Sequence, residues 1–124
     1  MAALSGTFAV ARELPDGFRL LHRHAMHEPE FATHVADLVD RNRRRIEGML
    51  AGVHDQVLRA WTARLVDRMV DEAFLNWLDV GDPARDEEMV ERLAHLLGAL
   101  VGSLWPAPET DATKQPRPRG PARR

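Results

Sequence analysis

Between Val57 and Leu104, bulky apolar residues return at steps of three and four, interrupted once by a tight turn, Val80-Gly81-Asp82-Pro83. That is the helical period and not the strand period. The first run carries Leu58, Trp61, Leu65, Met69, Ala73, Phe74, Trp77 and Leu78. The second carries Met89, Val90, Leu93, Leu96, Leu97, Leu100, Val101 and Leu104. The spacing predicts two long helices, antiparallel across the turn, that hold much of the bulky apolar mass. The rest of the chain must pack against them, so the expected fold is all-α with about five helices.

The first of the two helices is apolar on more than one side. Trp61, Leu65, Met69 and Trp77 lie near one line, and Leu58, Val66, Val70 and Phe74 near another. Such a helix packs on two neighbours at once. It is either a central core helix or one shared between its own domain and a second subunit. After the turn, Asp82 or Asp86 is placed to cap the last helix, with Glu87 and Glu88 in its first turn. Gly98 and Gly102 sit four apart on that helix. Glycine inside a helix costs about 1 kcal/mol relative to alanine, so the pair predicts close approach of another backbone. Trp105-Pro106 ends the pattern.

Upstream the signals are weaker. Met1 to Leu14 has Leu4, Phe8, Val10 and Leu14 without clean periodicity, and predicts a short helix or a frayed piece of a longer one. Pro15-Asp16-Gly17 suits a helix start, and Phe18, Leu21 and Ala25 continue it to about Met26. Glu28-Pro29-Glu30 breaks the chain, because a residue before proline avoids helical angles. A long helix is expected from roughly Pro29 to Leu50, with Phe31, Val35, Leu38, Asn42, Ile46, Met49 and Leu50 on its inner stripe. Gly48 and Gly52 mark its exit, and Asp55 is placed to cap the helix that follows.

The organisation expected is therefore an N-terminal segment over 1–14, a helical domain over 15–105, and a disordered Pro/Arg-rich tail over 106–124. A chain of 124 residues suits one domain. The tail carries Lys114, Arg117, Arg119, Arg123 and Arg124 against Glu109 and Asp111. The remainder, with 12 bases and 17 acids, is acidic. That balance argues against a broad nucleic-acid surface. The sequence lacks cysteine, which excludes a disulfide framework and a thiolate zinc site and fits a cytoplasmic protein. The first residues do not read as a signal peptide. No window approaches the ~20 apolar residues of a membrane span, so no membrane partner is expected.

Two kinds of chemistry come into question for these residues. His22, His24, His27 and His34, with Glu28 and Glu30, are competent metal ligands by type. On a helix, however, His22 and His24 point apart, and HExxH is absent. A His/Glu metal-binding protein is thus a distant alternative, and no metal or other cofactor is called for. An enzyme is not expected either. The acids mostly occupy outer faces, and without Cys or Tyr, and with Ser only at Ser5 and Ser103, nucleophiles are few.

The stretch Leu78-Asp79-Val80-Gly81-Asp82-Pro83-Ala84-Arg85-Asp86-Glu87-Glu88 resembles the C-terminal regulatory domain of TetR-family transcription regulators. There a long helix ends in a tryptophan-bearing turn, followed by a short acidic loop and a last amphipathic helix. Phe18-Arg19-Leu20-Leu21-His22-Arg23-His24-Ala25, followed by Glu28-Pro29-Glu30-Phe31-Ala32, is similar to the helix pair ahead of that family's ligand pocket. The resemblance covers about residues 15 to 105. The family's N-terminal helix-turn-helix has no counterpart ahead of Pro15, so this chain alone is not expected to read an operator.

The resemblance implies a homodimer in which the last two helices of each subunit form a four-helix bundle. Its interface would use Phe74, Trp77, Leu93, Leu96, Leu97, Leu100, Val101 and Leu104. It also implies a pocket for a small apolar or neutral ligand, lined by Phe18, Leu21, His22, Met26, Phe31, Val35, Leu38, Trp61, Leu65 and Met69. The function implied is ligand sensing and dimerisation. A dimerisation module without ligand is the alternative.

Overall fold

The computed structural model describes residues 1–105, the side chain of Met26 aside. The expected tail over 106–124 lies outside the described residues. Five α-helices follow one another: α1 (Ala2–Glu13), α2 (Pro15–Arg23), α3 (Ala32–Met49), α4 (Gln56–Val80) and α5 (Asp86–Leu104). Short 3-10 turns at Ala25–His27, Pro29–Phe31 and Pro83–Arg85 join them. No strand occurs among the described residues.

The punctuation works largely as its chemistry dictates. Asp55 caps α4, its Oδ1 accepting from the amides of Val57 and Leu58 at 2.9 and 3.1 Å. Pro29 opens a 3-10 turn and not the long helix itself, so α3 starts at Ala32. Asp82 accepts from the Ala84 amide at 2.9 Å and caps the turn that leads into α5. Asp86, the other capping candidate, makes no cap bond; its carboxylate is directed elsewhere.

The main core gathers Phe8 and Ala11 of α1, Phe74 and Leu78 of α4, and Val90, Leu93 and Leu97 of α5. Phe74 is 0% exposed and sits at its centre. Its ring lies 4.9 Å from that of Phe8 and 6.3 Å from that of Phe18. The weakly periodic first segment is therefore a full helix that supplies core residues. Packing against α4 and α5, which propensity does not register, selects it. A second, smaller cluster joins Leu50, Val53 and Ala63, with Ile46, Val101 and Trp105 against it. It ties the end of α3 to α4 and to the last turn of α5.

Candidate functional site

Three elements meet at the start of α5. Asp86 is the first residue of that helix and is partly buried. Arg12 of α1 donates from Nε to Oδ2 and from Nη2 to Oδ1, both at 2.7 Å. Trp77 of α4 donates from Nε1 to Oδ1, also at 2.7 Å. The carboxylate thus takes three donors from two helices while standing at the positive end of a third. The Arg12 guanidinium holds the Asp86 carboxyl below its ordinary range; partial burial opposes this and the Trp77 bond assists it. Arg12 also lies 5.5 Å over the Phe8 ring, so the same side chain reaches the core.

Trp77 has a second role. Its ring forms one wall of an open groove of about 290 Å³ on the outer side of α4 and α5. Ala73, Met89, Leu93 and Leu96 give the groove its apolar lining, and Arg85, Glu88 and Arg92 stand at its rim. Glu88 accepts from Arg85 Nε at 2.9 Å and from Arg92 Nε at 2.8 Å. These arginines, Arg85 foremost, pull its carboxyl down to about 2. Gly81 makes the geometry of this corner possible. A Cβ there would stand 2.3 Å from Trp77 Cδ2 and 2.6 Å from the Trp77 carbonyl oxygen.

Beyond the groove, no described residue covers the outer side of α5. Leu96 is 54% exposed, Gly98, Ala99 and Gly102 are exposed, and Leu104 is 38% exposed. A Cβ at Gly98 or Gly102 would meet nothing within 4 Å. Close packing among the described residues therefore does not explain these two glycines.

A second polar site joins α2 to α4. Arg19 Nε and Arg23 Nη2 donate to Asp79 at 2.9 and 2.7 Å, and Arg19 Nη2 donates to the Leu78 carbonyl at 2.9 Å. Arg23 first, then Arg19, hold the Asp79 carboxyl below its usual range. One turn away His22 stacks on Phe18 with ring centres 4.3 Å apart. Its Nδ1 approaches Asp71 Oδ2 to 3.3 Å without the alignment of a hydrogen bond. Asp67, one turn before Asp71, has its carboxyl raised by burial and by Asp71, against the lowering pull of Arg68 and His22.

The expected ligand-lining residues are distributed unevenly. Phe18, Leu21, His22, Val35, Leu38, Leu65 and Met69 are half-buried, whereas Phe31 and Trp61 are 50% and 52% exposed. Met26 lies in the turn Ala25–His27, and its side chain is outside the described residues. None of these residues lines the groove. Of the expected interface residues, Phe74, Leu93 and Leu97 are covered by the chain's own core. Trp77, Leu100 and Val101 are half-buried, and Leu96 and Leu104 are exposed. Trp77, Leu93 and Leu96 share the groove. His24, His27, His34, Glu28 and Glu30 are exposed. Among the described residues no three His, Asp or Glu side chains gather as a metal would require.

The Arg12–Asp86–Trp77 contact was invisible in the sequence, since Arg12 and Asp86 stand 74 positions apart with no local pattern linking them. Comparison with protein-family models, curated proteins and solved structures finds no match to this chain.

Proposed function

We propose that this chain is the dimerising, ligand-sensing module of a TetR-type regulator. The observation that carries the reading is the unpartnered outer side of α4 and α5. There a groove with an indole wall and a half-exposed leucine adjoins a face of α5 that carries two glycines with open space above them. Helix interiors retain glycine at a cost of about 1 kcal/mol each, and another helix lying close above repays that cost through contact. A second copy presenting the same side is the occupant that the resemblance implies.

Light scattering across protein concentration tests this. Twice the chain mass is expected for the native protein and a single chain mass for Leu96→Asp. A native protein that stays monomeric at high concentration would remove the basis of the reading. Leu96 is the residue to change, because Leu97 belongs to the chain's own core and its loss would unfold the protein. The surface positions of Phe31 and Trp61 favour a second reading, a dimerisation module without ligand. A thermal-shift screen with apolar and aromatic compounds separates the two, since a ligand of the folded state alone must raise the melting temperature.

A further inference from the structure

The helix α2 differs from its neighbours in what holds it. None of its residues is buried, whereas α1 beside it seats Phe8 and Ala11 in the core at 3% and 1% exposure. Phe18 and Leu21 are only half-buried, and Leu20 is 60% exposed. The polar fastenings of α2 to α4 are those already described. They comprise Arg19 and Arg23 on Asp79, Arg19 on the Leu78 carbonyl, and His22 against Asp71. The chain leaves helical geometry on both sides of α2, at Leu14 (φ −128°, ψ 61°) and at His24 (φ −124°, ψ −58°). Leu14 is 65% exposed, so little packing resists rotation there.

We propose that α2 is a hinged cover on α4, closed chiefly by the Arg19 and Arg23 contacts with Asp79 and able to open while the remaining helices stay folded. Segments with few buried apolar contacts open at lower free energy than the core they rest on. Side chains as accessible as Arg23 and Asp79, 45% and 36% exposed, make contacts that salt screens. Opening turns Phe18 and His22 away from Phe74 and Asp71 and uncovers that side of α4. The hinge and latch stand on these contacts alone. That the opening admits a ligand rests on the regulator reading above.

Hydrogen exchange followed by mass spectrometry on the full chain tests the cover without ligand or partner. At low salt the amides of residues 18–23 are expected to exchange through a local opening, ahead of those in α4 and α5. At 1 M NaCl, and separately in Asp79→Asn and in the milder Arg23→Gln, exchange in α2 is expected to accelerate about two- to thirty-fold. The α5 core should hold its rate. Three outcomes would overturn the proposal. In one, α2 exchanges in step with α5 under every condition. In another, α2 and α5 accelerate equally in the variants. In the last, α2 shows no protection even at low salt. The oligomeric state, measured by light scattering on the same samples, fails or holds independently.

Discussion

Replacing Asp86 by alanine should destabilise the whole fold, although the residue is polar and 23% exposed on its side chain. The change leaves three donors without their acceptor: Arg12 Nε, Arg12 Nη2 and Trp77 Nε1. Hydrogen bonds to a charged group are worth about 1.5–3 kcal/mol each when well buried. Here water reaches a quarter of the pair, so about 1 kcal/mol per bond is the better scale. The expected loss is then about 2–4 kcal/mol, which at roughly 4 °C per kcal/mol lowers the melting temperature by about 8–16 °C. Urea denaturation followed by circular dichroism measures it. Asp86→Asn retains an oxygen for Trp77 but not both acceptors for Arg12, and should lose about half as much. In a double-mutant cycle with Arg12→Gln, the coupling should be about 1–2 kcal/mol. The pH dependence has a definite sign. Because the Asp86 carboxyl is held below its usual value of 3.8, its stabilisation is full above that range and fades as pH falls through the lowered value. The gap between native protein and Asp86→Ala should therefore be constant at neutral pH and close only below about pH 4. A loss under about 0.5 kcal/mol, or strictly additive single variants, would refute the idea that this carboxylate fastens α1 to α4 and α5.

Other perturbations follow from the same geometry. Phe74→Ala, at the fully covered centre of the core, should cost about 3–5 kcal/mol in urea denaturation. Gly81→Ala should displace the Trp77 ring that now occupies the space of its Cβ; a shifted indole N–H resonance, marking the lost bond to Asp86, would report this. Gly98→Ala and Gly102→Ala should each raise monomer stability by up to about 1 kcal/mol, because their added methyls meet nothing among the described residues. If a second copy covers that face, the same changes should weaken association in sedimentation. A carbon-detected titration should find Glu88 protonating near pH 2, with its ordinary value of 4.5 restored when Arg85 and Arg92 are both replaced by glutamine.

The helices that were easy to read are those whose signals are local. The Asp55 cap and the α4 stripe need only residues within one or two turns; the cap occurs as expected, and the stripe is covered from Leu65 onward, whereas Leu58 and Trp61 at its start are exposed. The last helix was equally plain, with its acids in the first turn. The first helix was not. Phe8 and Ala11 are spaced for one narrow stripe, and its value is set by Phe74, which lies far along the chain. Asp86 shows the limit most clearly. By position it is a cap, and by chemistry any acid there would serve the helix dipole. Only the arrival of Arg12 and Trp77 makes it a junction. The split of Leu96 and Leu97 between surface and core likewise needed the helix's angular setting, which periodicity locates only to within a stripe.

The bond between Arg12 and Asp86 also bears on the order in which the molecule is made. Its partners are separated by 74 positions. At about 5–20 residues per second of synthesis, the α1 segment waits roughly 4–15 s before the residue that anchors it has been added. Throughout that interval Phe8 and Ala11 lack the α5 part of their core. A nascent chain of this protein therefore carries the apolar stripe of α1 with only part of its cover until α5 has been made.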